Sequence, residues 1–146
     1  MKLEHFALNV SDPVAMSRWY VEHLGLQVVR QLADAPFTTF MADESGRIMV
    51  EVYANPEAEI PDYQHMHPLM VHLAFVSLNP KYDCERLINA GASLVTEQFL
   101  IDGSHLVMLR DPWGLCVQLC KRGVPMLADR DMTNSNGFVL NKLVKS

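Results

Sequence analysis

Two stretches of this chain repeat each other and decide its fold. Residues 5–13 are HFALNVSDP, and residues 72–80, which begin 67 positions further on, are HLAFVSLNP. Each begins with His, alternates between two faces like a β-strand, and ends in a polar residue followed by Pro, which is typical of a helix N-cap and first turn. The same offset relates Glu51 to Gln118 and Met41 to Met108. The chain is therefore predicted to contain two copies of one unit.

Each copy is predicted to contain one helix and four strands, in the order β-α-β-β-β. In the first copy the helix begins at Pro13 and ends at Gly25, and its apolar stripe includes Val14, Trp19 and Tyr20 as core residues. A unit this small cannot cover both faces of its sheet, so the two copies should pair, with the uncovered faces forming a cup. This predicts an α+β fold made of paired β-α-β-β-β modules that form a barrel-like mixed sheet.

The domain organisation follows from these modules. They span residues 3–53 and 70–121, and the proline-rich residues 54–69 link them within a single domain, 1–122. Residues 123–146 have no counterpart in the first copy, and their apolar content predicts a C-terminal extension that packs on the body or on a second subunit.

Composition limits the classes of partner. The 146 residues include 17 acidic and 12 basic side chains, and this acidic balance argues against nucleic acid. The sequence has neither an apolar run long enough to span a membrane nor an apolar signal region, so we expect a cytoplasmic protein that binds a small molecule. The three cysteines, Cys84, Cys116 and Cys120, are expected to be free and buried, as suits a reducing compartment.

Four polar side chains are predicted to enter the cup. Strand alternation places His5 and Glu51 on the cup face of the first module, and the repeat places His72 and Gln118 at the same positions in the second. Singly, each is typical of a packed or hydrogen-bonded strand residue. Together, two imidazoles, a carboxylate and an amide oxygen favour a divalent metal such as Zn, Ni, Co or Fe.

At these residues the sequence resembles the vicinal oxygen chelate superfamily, which includes glyoxalase I, bleomycin-resistance proteins and extradiol dioxygenases. The resemblance rests on LEHFALNVSDP at 3–13, RWYVEHLGL at 18–26, HLAFVSLNP at 72–80 and RDPWGLCVQL at 110–119. It implies the same paired modules and the same four metal ligands. The ligand spacing is most similar to that of glyoxalase I, a lyase that acts through a metal-stabilised enediolate while a carboxylate moves a proton.

Gln118 departs from that pattern, because bacterial glyoxalase I has Glu at this position. An amide cannot accept a proton at neutral pH, so Glu51 would be both ligand and catalytic base. Three functions therefore stay open: a lyase or isomerase, a metal-free binding or resistance protein, and an Fe(II) dioxygenase using His5, His72 and Glu51. The cup could close within one chain or between two, so a homodimer is also open.

Other polar residues are predicted to have lesser roles. His65 and His67 lie in the proline-rich linker and are expected on the surface rather than at a second metal site. Arg110 is expected to fix the adjacent Asp-Pro-Trp-Gly turn. Arg47 shares the strand parity of Glu51, which allows an anion contact, and His105 is placed near the cup without a role.

Overall fold

The first module forms one mixed sheet with a helix on one face. A computed structural model describes residues 1, 3–46 and 49–126. The elements of this module are β1 (His5–Asn9), α1 (Pro13–Leu24), β2 (Gln27–Gln31), β3 (Thr39–Ala42) and β4 (Met49–Tyr53). The sheet order is β1-β4-β3-β2, in which β1 and β4 are parallel and the other pairs antiparallel.

The second module repeats this arrangement. Its elements are β5 (His72–Val76), α2 (Pro80–Asn89), β6 (Ser93–Phe99), β7 (His105–Arg110) and β8 (Cys116–Lys121). The order β5-β8-β7-β6 is that of the first sheet, again with the first and last strands parallel. The predicted α+β class, the two modules and their element order are confirmed, and the strands form two four-stranded sheets. Arg47 and residues 127–146 of the predicted extension lie outside the described residues.

The helix signals in the sequence act as predicted. Asp12 accepts a hydrogen bond from the amide of Ala15 at 2.9 Å, and Asn79 caps α2 in the same way. Gly25 ends α1 in the left-handed conformation, at φ 73°. The buried stripe of α1 contains Trp19 and Tyr20, but Val14 is 37% exposed, so its assignment to the stripe was wrong. The buried residues of α1 form one face of the helix, and Val14 lies outside that face; they are Pro13, Met16, Ser17, Trp19 and Tyr20.

The repeat offset of 67 residues holds for the two parallel strand pairs, β1 with β4 and β5 with β8. In the other strands the offset changes by one residue. Ala7 pairs with Glu51 and Ala74 with Gln118, so the strands that carry the predicted ligands match. In the neighbouring strands Phe40 lies opposite Glu51, whereas Met108 lies opposite Gln118. The predicted match of Met41 with Met108 was therefore wrong: Met41 pairs with Val50 and faces the helix, and Met108 lies on the cup face.

The two modules meet on their helix sides. Tyr20 donates its hydroxyl to Asp111 at 2.8 Å, and the indole of Trp19 donates to the carbonyl of Ala90 at 2.8 Å. Arg86 donates to the carbonyl of His23 at 2.8 Å, which ties α2 to the end of α1. The two modules also share one hydrophobic core, which contains residues of both. Within a single chain, module pairing therefore uses the helix faces rather than the cup faces.

The Tyr20–Asp111 contact gives a pH-dependent prediction. Burial raises the pKa of Asp111 to about 6, against hydrogen bonds from Tyr20 and from backbone amides of the following turn that lower it. Because the folded state holds this proton more tightly than the unfolded state, the stabilisation is present below about pH 4 and lost as pH rises through 6. Between about pH 4 and pH 7, the free energy of unfolding of the wild type should therefore fall by about 2 kcal/mol relative to that of Asp111→Asn.

Urea unfolding across this pH range measures the effect. The matched control is Glu85→Gln, on the exposed surface of α2, which should keep the wild-type pH dependence. Parallel curves for the wild type and Asp111→Asn would show that the contact does not titrate with folding.

Candidate metal centre

His5 and Glu51 form a pair on the cup face of the first module. The parallel pairing of β1 with β4 brings them together, with His5 Nε2 at 3.2 Å from Glu51 Oε2. The other ring nitrogen of His5, Nδ1, is bound by the carboxylate of Glu4. That hydrogen bond, opposed by burial, and the charges of Glu4 and Glu51 raise the pKa of His5. The imidazole is thus held at Nδ1 while Nε2 points to the second carboxylate.

His72 is held in the same way in the second module. Its Nδ1 lies 3.1 Å from the carbonyl oxygen of Pro68, at the end of the linker. A carbonyl oxygen only accepts, so Nδ1 donates this hydrogen bond and Nε2 takes no part in it. Metal-binding imidazoles are typically fixed by a hydrogen bond from the ring nitrogen that does not ligate. In both histidines an oxygen atom therefore binds Nδ1.

Gln118 lies between two buried thiols on the cup face of β8. Cys116 and Cys120 flank it on the same face, and Cys120 donates to the Gln118 carbonyl oxygen, Oε1, at 3.3 Å. Burial raises the pKa of both thiols, so they stay protonated at neutral pH. All three cysteines are free and buried, as predicted. In this contact the Gln118 carbonyl oxygen, Oε1, faces the Cys120 thiol.

The two pairs are carried by separate sheets. His5 and Glu51 belong to the first sheet, and His72 and Gln118 to the second. Across residues 1, 3–46 and 49–126, no three His, Cys, Asp or Glu side chains form a group that could hold a metal ion. Each module of one chain thus presents half of the predicted ligand set.

The comparisons with known proteins agree with this architecture. The family model described as the Glyoxalase/Bleomycin resistance protein/Dioxygenase superfamily matches residues 2–119. The chain belongs to this superfamily. A search of curated proteins finds no match.

Several solved structures share the fold of this chain. TnmS3, an antibiotic binding protein from Streptomyces sp. CB03234, is 18% identical at TM-score 0.64, with 84% of this chain and 96% of that one covered. A lactoylglutathione lyase from Agrobacterium tumefaciens is 21% identical at TM-score 0.59, covering 81% and 91%. A family enzyme from Burkholderia phytofirmans PsJN is 16% identical at TM-score 0.65, covering 82% and 98%. At these identities the likeness shows the fold alone.

Two residues on the cup face of the first module were not predicted from the sequence. The ring of Phe40 meets the His5 imidazole edge to face, with centroids 5.7 Å apart. Arg30 lies opposite Phe40 on the neighbouring strand and shares its face. A β-bulge at Val29 separates Arg30 from Val28, and strand alternation alone gives no sign of that bulge.

The other polar residues that the sequence singled out lie on the surface or contact other groups of the protein. His65 and His67 are exposed, as predicted, and His65 Nδ1 contacts Asp62 at 2.9 Å. Arg110 donates to the carbonyl of Gly114 in the turn at 2.9 Å, as predicted, and also to linker carbonyls. His105 contacts Glu97 at 2.8 Å and stacks on Phe99. It pairs with Lys121, on the side away from the cup, so its predicted place near the cup was wrong. None of the helices in the described part of the chain is long and apolar enough to cross a membrane.

Proposed function

We propose that this chain is a metal-dependent lyase or isomerase of the glyoxalase I type that acts on a small oxygenated substrate. The observation that carries the proposal is the orientation of the two imidazoles. In both His5 and His72, Nδ1 is bound by an oxygen, which leaves Nε2 as the ligating atom. The carboxylate of Glu51 already lies at the Nε2 of His5.

These residues fit a divalent ion of the Zn, Ni, Co or Fe group. His5, His72, Glu51 and Gln118 would supply two nitrogen and two oxygen ligands, which suit such an ion better than Mg or Ca. When bound, the ion would polarise two adjacent oxygens of the substrate. Glu51 would move the proton, since it is the sole carboxylate of the set and Gln118 cannot accept one.

We further propose that two chains share each site. The half-sites lie on separate sheets, and within the described residues β1 and β5 are each paired along one edge only. Exposed apolar side chains surround β5, including Leu69 at 75%, Val76 at 87% and Leu78 at 86%. A two-fold homodimer would cover this surface and bring His5 and Glu51 of one chain to His72 and Gln118 of the other.

Metal titration of protein purified without an affinity tag tests the proposal. After dialysis, Ni²⁺, Zn²⁺, Co²⁺ or Fe²⁺ should remain bound at about one ion per chain, and a hundredfold excess over Kd should add about 2.7 kcal/mol to the free energy of unfolding. Chelation should reverse the gain. His72→Ala should abolish it, whereas His65→Ala, at the exposed linker histidine, should not. A wild-type protein that holds none of these ions, with no response to chelator, would reject the proposal.

A metal-free binding protein is the second candidate. The neutral Gln118, whose carbonyl oxygen already accepts from Cys120, favours it. The fold likeness to TnmS3, an antibiotic binding protein, is consistent with it. In that case His5→Ala would leave ligand affinity unchanged. The free thiols agree with the cytoplasmic location that we infer for either function.

A further inference from the structure

One row of cross-strand partners crosses the cup face of the first module. Ala7 pairs with Glu51, Glu51 with Phe40, and Phe40 with Arg30, from β1 to the edge strand β2. Side chains of directly paired residues lie on the same face of a sheet. The row therefore runs from the half-site, over an aromatic ring, to a guanidinium.

The bulge at Val29 gives Arg30 this position. Val28 pairs with Met41, which is fully buried on the helix face, and one extra residue then separates Val28 from Arg30. The bulge lets Arg30 pair with Phe40 on the opposite, cup face. Bulges commonly re-aim a side chain in this way.

The guanidinium of Arg30 has no partner among residues 1, 3–46 and 49–126. The side chain is exposed, and among the described residues it makes neither a hydrogen bond nor an ion pair. The other arginine on the described cup faces, Arg110, donates to three carbonyl oxygens, those of Tyr63, Met66 and Gly114. The guanidinium of Arg110 thus has a structural role, whereas the N–H groups of Arg30 have no acceptor within the described residues and can donate to a ligand.

The corresponding row of the second module carries no charge. It consists of four cross-strand partners from β5 to β6: Ala74, Gln118, Met108 and Thr96. The charge of the two rows is therefore confined to the first module, with Glu51 at the half-site and Arg30 at the outer strand. Two strand spacings separate these residues, so their backbones lie about 10 Å apart.

From this row we infer that Arg30 binds a carboxylate at the far end of the substrate, with Phe40 packing against a flat segment between the two ends. This inference rests on the proposed function for the near end, where adjacent oxygens would meet the metal ligands. It narrows the substrate to compounds with two vicinal oxygens, a planar spacer and a carboxylate at the opposite end. The planar fork of an arginine suits bidentate recognition of a carboxylate.

A matched pair of probes tests the inference. The first is 3,4-dihydroxycinnamate, which has vicinal oxygens, a planar spacer and a carboxylate; the second is its methyl ester, which lacks the charge. Calorimetric titration of the metal-loaded protein should show about tenfold tighter binding of the acid, the size expected of one charge-assisted contact. Arg30→Gln should remove this preference and leave the ester affinity and the metal content unchanged. Arg18→Gln, an exposed arginine on α1, should keep the preference.

The same titration in metal-free protein separates this inference from the proposed function. Loss of metal binding would overturn the proposed function, yet the acid should still bind more tightly than the ester, because Arg30 needs no metal. The inference itself is overturned if wild-type protein shows no preference for the acid, if neither probe binds to either form, or if the preference survives Arg30→Gln.

Discussion

Mixing two variants of this chain that each fail to bind metal should restore metal binding. One variant carries His5→Ala with Glu51→Ala and the other His72→Ala with Gln118→Ala, so each lacks one complete half-site. Loss of a single hydrogen-bond partner of a ligand costs about 10- to 100-fold in metal affinity, so loss of two ligands should cost more than about 100-fold. If two chains share each site, a mixed dimer contains one intact site and one that lacks all four ligands.

The expected stoichiometry is specific. Random pairing after joint refolding makes half of the dimers mixed, and one of their two sites is intact, so about a quarter of the wild-type metal content should return. The matched control mixes the single variants His5→Ala and Glu51→Ala, which damage the same half-site. No mixed dimer of this control pair has an intact site. Restoration in the control, or none in the test pair, would contradict a site shared between two chains.

Local sequence patterns predicted the parts of the fold that depend on one strand or one helix. Asp12 and Asn79 cap the helices, and alternation placed His5 and Glu51 on one face, where the structure joins them at 3.2 Å. These features need only nearest neighbours along the chain and the parallel register of β1 with β4. The caps are each encoded in a single stretch of residues, whereas the meeting of His5 and Glu51 also requires residues 5–9 to pair with residues 49–53.

The positions that the sequence did not reveal depend on turns and on contacts between distant segments. Met41 and Met108 share the repeat offset but lie on opposite faces, because the connections before β3 and β7 shift the register by one residue. The joining of the modules through Tyr20 and Asp111 involves residues 91 positions apart. No periodic pattern encodes that contact, so the sequence left open whether the cup closes within one chain or between two.

Glu51→Gln should slow proton transfer while the metal stays bound. The amide oxygen of Gln remains a ligand, but it cannot accept a proton, and removal of a positioned general base costs about 10²- to 10⁴-fold in rate. Dihydroxyacetone, which carries adjacent carbonyl and hydroxyl oxygens, is a suitable probe. Nuclear magnetic resonance in D₂O measures the exchange of its carbon-bound hydrogens by metal-loaded protein, and metal analysis checks occupancy in the same samples.

The neutral Gln118 supplies the contrast that assigns the base. Gln118→Glu adds a carboxylate at the equivalent position of the second module and should leave the exchange rate at or above that of the wild type. Combined with Glu51→Gln, it should recover part of the lost rate, because the base then lies on the other sheet with the same ligand count. If Glu51→Gln exchanged hydrogens at the wild-type rate with full metal content, a different group would be the base and Glu51 would serve only as a ligand.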